Sequence, residues 1–373
     1  MKANSYLHVD LSSISANISA IEETIGPECS VIPVLKGDAY GLGGIELARF
    51  LSKRKELDTF AVSHVAEGIA FREAGISQKI MALSLPLDWQ VEEAAQNDLI
   101  LTLGSFRQFP ILSEVSRKLG RRVRVQIKLD TGLHRIGFLP SELDALCDAL
   151  KDAAPYLEIV GTFSHFSCDE IAEMEAQDAC FREGLEKLRS AGIEPGIRHI
   201  SSSGSLEISR AYSYDAVRIG RALTLDNPFS PTGLIREAVS FRAFLADIRD
   251  RHAGDTLAYG GKVILKKDTR VGVLSIGYGD GLDPALCQVH APVLIRGQKA
   301  SLIACCMCQS FVDLGTIDAL PGDEVTIFGY DAFGNLLSAQ EVASLLGREG
   351  CDLTTELTRR VQRVYQEENG STV

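Results

Sequence analysis

The sequence predicts an α/β fold: a (β/α)8 barrel of TIM type over residues 11–232, followed by a mainly β domain over residues 233–373. Three observations carry that expectation. Short apolar runs alternate with amphipathic stretches up to about residue 232, and the helical periodicity largely disappears after Pro228-Phe229-Ser230-Pro231. Polar residues foreign to strand interiors also collect at the ends of the apolar runs. With 373 residues the chain has material for two domains of roughly 100–200 residues each.

Eight runs read as strands: Val31–Leu35, Thr59–Val62, Ile80–Leu83, Leu99–Leu101, Val123–Lys128, Glu158–Phe163, Gly196–Ile200 and Ala216–Ile219. Eight βα units over about 200–250 residues is the arithmetic of a closed barrel, whereas a doubly wound open sheet more often has fewer strands. Helix-like segments lie between them. Ala66–Ala74 ends at Gly75 and Glu170–Ala191 at Gly192, each glycine standing where a left-handed cap is expected. In the second domain Val271–Ile276, Val293–Ile295 and Val325–Phe328 read as strands. Ala339–Leu346 and Thr355–Tyr365 read there as helices.

Composition narrows the function. Apolar residues are 45% and charged residues 24%, neither disordered nor fibrous. The 50 acidic against 38 basic side chains give a net charge of −12, which disfavours nucleic acid and anionic membrane surfaces. The N-terminal residues lack the apolar core of a secretory signal, and no stretch approaches the ~20 apolar residues of a membrane span. Nine cysteines, an odd number in a long chain, fit a reducing cytoplasm better than a disulfide framework. Cys305, Cys306 and Cys308 have no second pair at zinc-ligand spacing, so no metal is expected.

In a (β/α)8 barrel the reactive groups sit at the C-terminal ends of the strands. Lys36, Lys128, His165 and Arg218 lie at such ends, Arg135 follows one in DTGLHRIG, and Ser201-Ser202-Ser203-Gly204 follows another. A lysine directly after an apolar strand is penalised as a cation, so burial favours the free amine that condenses with a carbonyl. The alternative is a lysine that snorkels to solvent. The serine run and Ile219-Gly220 supply hydroxyls and backbone N–H groups where such barrels often hold phosphate, although a Ser-Gly loop is also an ordinary turn. An amine facing a phosphate cradle fits pyridoxal phosphate.

Several motifs in order then make a specific likeness: VLKGDAYGLG, IKLDTGLHRIG, GTFSHF, RHISSSGS, VRIG, AYGG, VGVLSIGYGDGL, ACCMCQSFVDLG and LTRRVQRVY. From Tyr6 to Tyr365 the chain resembles the alanine racemase family of fold-type III pyridoxal-phosphate enzymes. The resemblance implies a barrel followed by a β domain that also takes up a first strand near Tyr6–Asp10, and a homodimer whose second chain completes each site. It makes Lys36 the Schiff-base lysine and one catalytic base, with Tyr259 of the partner subunit as the other. Two bases are needed because a proton must leave one face of Cα and return to the opposite face. Each serves one enantiomer as acid and the other as base.

By the same likeness His165 hydrogen-bonds that tyrosine and contacts Arg218, which donates to the pyridine nitrogen. A guanidinium does not protonate that nitrogen, so the ring is a weaker electron sink and proton return is favoured over decarboxylation. Lys128, carbamylated, would position Arg135 near the cofactor and the substrate carboxylate. Tyr40, Ser203 and the backbone at Ile219 and Gly220 would hold phosphate. Tyr278 and Met307 would line the partner's site. Without the likeness, His165 reads as a packed histidine, Arg218 as pairing with Asp215, and Lys128 as pairing with Asp130.

Two positions depart from the family pattern. Cys308 stands where aspartate is usual and Cys351 where tyrosine is usual; by the likeness both belong to the substrate site, and the second change should enlarge its pocket. Smaller departures are Gly37, Leu42 and Ser202. The expectation is an amino-acid racemase acting on the small-molecule substrate alanine, with serine or another small polar amino acid as the alternative. A non-catalytic pyridoxal-phosphate carrier is a second class and a decarboxylase a third. The tyrosine base with its β domain argues against the former, and Arg218 against the latter.

Overall fold

The computed structural model describes residues 3–225, 233, 235–261 and 263–367. The change of texture expected at Pro228–Pro231, and the domain boundary expected at residue 232, lie outside the described residues.

The first strand, β1 (Ser5–Asp10), alternates strictly: Leu7 and Val9 are fully buried and their neighbours half-buried. Asp10 then caps the helix Leu11–Ile25, its Oδ1 accepting from Ser12 N at 2.9 Å and Ser13 N at 3.1 Å. Eight parallel strands follow: β2 (Ser30–Pro33), β3 (Thr59–Val62), β4 (Lys79–Ala82), β5 (Leu99–Leu103), β6 (Val123–Lys128), β7 (Leu157–Phe163), β8 (Ile197–His199) and β9 (Ala216–Ile219). β3 to β8 form one sheet and β2 pairs with β9. The gaps close through Leu35 N donating to Ala61 O at 2.7 Å and Arg218 N donating to Ser201 O at 3.1 Å. The result is the expected barrel.

Each predicted strand overlaps an observed one, because all eight are short apolar runs bounded by breakers. Gly75 and Gly192 have φ of +84° and +78°, the left-handed conformation expected of them. The lumen is filled from below by Ile32, Val34, Ala61, Met81, Ile100 and Ala216. With that apolar plug in place, inward side chains at the strand ends have only the C-terminal mouth to occupy.

The second domain is a curled sheet. Its long strand β10 (Val239–Arg251) pairs through Phe241–Phe244 with Glu324–Tyr330 and through Leu245–Arg251 with Thr269–Leu274, so the sheet folds back on itself. β1 lies beside β10 on one edge and is parallel to Gln362–Gln366 on its other side, as the resemblance implied. One expectation fails here. Thr355–Tyr365 is not a helix: Gly350–Glu356 is helical, Leu357 turns extended, and Gln362–Gln366 is a strand. Pairing with β1 and burial of Tyr365 override the helical spacing read from the sequence.

Candidate active site

The strand ends surround a cavity of about 500 Å³ whose lining includes Lys36, Tyr40, Lys128, Arg135, His165, Ser203, Arg218, Gly220 and Cys351, with Asp169 and Glu349 as its carboxylates. Together with Ser202 and Gly204, eleven of the residues singled out in the sequence thus meet. Ile219 lies behind the wall, fully buried, its carbonyl accepting from Val34 N at 2.7 Å. Tyr259, Tyr278, Met307 and Cys308 do not line the cavity of their own chain. Tyr259 is 76% exposed and Met307 53%. Cys308 Sγ lies within 3.4 Å of Arg360 Nη2, and Arg360 Nε donates to Asp280 Oδ1 at 2.8 Å.

Lys36 opens a turn that the sequence did not announce. Gly37, Asp38, Ala39 and Tyr40 all have φ between +52° and +61°, so the chain makes one left-handed helical turn directly after the lysine. For each non-glycine residue this conformation costs roughly 1–2 kcal/mol, and tertiary contacts must hold it. Arg363 donates to Gly41 O at 2.8 Å, Tyr365 Oη to Leu42 O at 2.7 Å, and Gly44 N to Asp38 Oδ1 at 2.7 Å. Burial, then the neighbouring Arg135 guanidinium, holds the Lys36 amine below the ordinary lysine range. Both effects raise the share of free base, the form that attacks a carbonyl.

Tyr40 reaches the other end of the cavity because Gly220 has no side chain: a Cβ there would lie 2.1 Å from Tyr40 Oη. Beside it, Ser203 Oγ accepts from Gly220 N and Ala222 N, each at 3.3 Å. Two hydroxyls and two backbone N–H groups converge at the barrel end where phosphate is commonly held.

Arg218 is 4% exposed and has no carboxylate partner among the described residues. Asp215, its partner in the bland sequence reading, is bound to Arg198 instead, at 2.5 Å. Nη1 of Arg218 faces His199 Nδ1 at 2.7 Å and donates to His199 O at 3.1 Å. Nη2 donates to Ser164 O at 2.8 Å and Ile200 O at 3.0 Å, and faces His165 Nδ1 at 3.0 Å. Four of the five guanidinium N–H groups are thereby used, leaving Nε–H. Burial, and then Arg135, pushes Arg218 down to about 9, which still leaves it charged at neutral pH.

This network fixes both imidazoles. An arginine can only donate, so each Nδ1 accepts and each neutral ring carries its proton on Nε2. Burial, reinforced by Arg218, holds His165 and His199 well below the usual histidine range, consistent with neutral rings. His199 stacks on Phe163 with centroids 5.2 Å apart, and its buried Nε2 has no partner among the described residues. Sequence reading passed over His199. Its signal was present: a histidine at the end of a barrel strand, on the neighbour of the strand that His165 follows.

Lys128 is 1% exposed, and its Nζ donates to Leu129 O at 2.7 Å and Ser164 Oγ at 3.3 Å. Asp130 is occupied elsewhere, accepting from Gly132 N and His134 N to fold the turn that carries Arg135. Burial, and then Arg218, pushes the Lys128 amine down to about 7. Among the described residues Arg135 makes no hydrogen bond or ion pair, so its guanidinium is available to a ligand. Cys351 completes the wall, its thiol raised by burial.

The family comparisons settle what this arrangement is related to. The family described as alanine racemase, N-terminal domain, matches residues 9–228, and that described as alanine racemase, C-terminal domain, matches residues 238–365. The chain belongs to the alanine racemase family. Among its relatives, the alanine racemase of Thermobifida fusca is 30% identical over 365 residues, covering 96% of each chain. That of Helicobacter pylori is 30% identical over 382 residues, covering 98% of this chain and all of the other. Among solved structures, the alanine racemase of Clostridium difficile 630 superposes with a TM-score of 0.90 at 28% identity, covering all of this chain and 98% of that one. Bacillus anthracis alanine racemase with bound L-Ala-P superposes with a TM-score of 0.89 at 27% identity.

As a member of the alanine racemase family the chain is expected to hold pyridoxal phosphate, and its cavity has the donor set for it. An amine held toward its free base stands at one side. Hydroxyls and N–H groups suited to phosphate gather at another. The spare Nε–H of a buried arginine suits a ring nitrogen. No helix among the described residues is long and apolar enough to cross a membrane, and no group of three metal-ligating side chains occurs among them.

Proposed function

We propose that this chain interconverts L- and D-alanine with pyridoxal phosphate, working as a homodimer in which each cavity is completed by the second chain. The observation that carries the reading is Arg218: a fixed, buried cation that can donate to a ring nitrogen through Nε–H but cannot protonate it. Pyridoxal phosphate, when bound, supplies an aldehyde for the substrate amine and an electron-withdrawing ring that acidifies Cα–H. The protein's own groups decide where protons go. Lys36 Nζ, its share of free base raised by burial, takes or returns the proton on one face, and Tyr259 Oη of the partner subunit does so on the other. His165 Nε2–H, fixed in that tautomer by Arg218, can donate to the phenolic oxygen and ease its deprotonation. Arg135 meets the substrate carboxylate. The neutral amine of Lys128 is the form that can take up carbon dioxide, and as a carbamate it would give Arg135 an anionic neighbour.

Support for the dimer comes from the β domain. Tyr259, Ile264, Tyr278 and Met307 are all exposed, a set of large apolar and aromatic groups that water leaves uncovered in one chain. The relatives are alanine racemases by name, which favours alanine over serine despite the room that Cys351 leaves. The C-terminal family match over residues 238–365 likewise disfavours a barrel-only cofactor carrier. The test is to follow α-proton exchange and optical rotation together for L-alanine in deuterium oxide. Exchange with inversion supports the reading; loss of carboxylate, or no exchange, refutes it.

A further inference from the structure

Glu67 belongs to none of the motifs and does not line the cavity, yet its carboxylate ties together the two strand ends nearest Lys36. Oε1 accepts from Gly37 N at 2.6 Å, the first peptide of the left-handed turn. Oε2 accepts from Ser63 N at 2.8 Å and His64 N at 3.1 Å, at the end of β3. The contact to His64 is ordinary for a glutamate in the third position of the helix Val65–Glu73, where it caps the first turn. The contact to Gly37 is not. It spans 30 residues and anchors the peptide that directly follows Lys36.

We infer that Glu67 is a positioning residue for Lys36, holding the entrance of the strained turn against β3 so that the amine stays aimed into the cavity. Of the other side-chain supports, Asp38 Oδ1 holds Gly44 N, Arg363 holds Gly41 O and Tyr365 holds Leu42 O, while within the turn Ala39 N donates to Leu35 O at 3.0 Å. Glu67 supplies the side-chain contact to the Gly37 peptide, so its loss weakens the hold on the leading end of the strained segment Gly37 to Tyr40. The carboxylate has a second effect. Of the charged groups that bear on Lys36, Arg135 and Arg218 favour its free base, whereas Glu67 and the Cys351 thiol oppose them. Glu67 therefore keeps the amine from falling further.

The inference rests on the proposed function only in calling Lys36 the reacting amine, so its test is read mainly on the protein without added cofactor or substrate. Glu67→Asp is short enough to keep the helix cap and lose Gly37. Hydrogen exchange of the segment holding Gly37 should then quicken by about tenfold, while the segment beginning the helix Val65–Glu73 stays protected. Glu67→Gln removes the charge, and the pH midpoint for acylation of Lys36 by acetic anhydride should move lower. In both variants kcat for alanine should drop by about tenfold with KM little changed. Wild-type exchange at Gly37 in Glu67→Asp, with an unmoved acylation midpoint in Glu67→Gln, would reduce Glu67 to a helix cap and overturn the inference. Should wild-type protein fail to racemise alanine while exchange at Gly37 still depends on Glu67, the positioning role stands and the activity reading falls.

Discussion

The barrel mouth and the β domain present opposite kinds of residue, which the proposed mechanism brings to one chemistry. At the barrel mouth Lys128, His199 and Arg218 are buried and His165 half-buried, and all four are hydrogen-bonded and shifted from their ordinary ionisation. In the β domain Tyr259, Tyr278 and Met307 are exposed and absent from the cavity. One half of the site is organised by folding alone, because the lumen plug and strand ends leave those side chains a single place to go. The residues that the proposed mechanism takes from the second chain lie instead on an exposed surface of the β domain.

Breaking the surface half should cost the most activity with the least structural damage. Tyr259→Phe removes one hydroxyl from an exposed side chain, so folding and cofactor uptake should persist while racemisation falls by roughly 10²–10⁴-fold, the usual worth of a general acid–base group. Steady-state rates in both directions beside the bound-cofactor absorbance check this. Breaking the buried half should damage both properties. Arg218→Met leaves His165 and His199 without their donor, and we expect a 10–100-fold loss of rate together with a lower melting temperature.

The smallest effect sharpens the contrast through pH. Lys128 is held near 7 in the fold against the ordinary lysine value of 10.5, so between those values the unfolded chain binds the extra proton. Wild-type stability should therefore rise with pH from about 7 toward 10 relative to Lys128→Met, the penalty being complete below about 7. Melting temperatures of both proteins in carbonate-free buffer at pH 6 and pH 9 measure this. A difference independent of pH would mean the amine is not desolvated.

What could be read from the sequence follows the same division. The barrel was legible because each strand is an apolar run with a breaker at its end, and Lys36, Lys128, His165 and Arg218 stood out as charges where strands stop. The left-handed turn was not, since only Gly37 among its residues favours positive φ and Asp38, Ala39 and Tyr40 are forced there by tertiary bonds. Glu67 was hidden by its everyday position in a helix cap. Val361 to Tyr365 looked helical until a distant strand, β1, offered it a partner. The roles of Tyr278 and Met307 came from resemblance alone, because exposure in one chain says nothing of which chain they serve.

The central claim is that each active site is built from two chains, and mixing two inactive variants tests it. Lys36→Ala and Tyr259→Phe proteins, each dead alone, would be unfolded together and refolded as a mixture. If Lys36 works with the partner's Tyr259, half the dimers carry one intact site, and roughly a quarter of wild-type activity should return. No recovery, with mixed dimers shown to be present, would mean that both groups serve the same chain and would contradict the account.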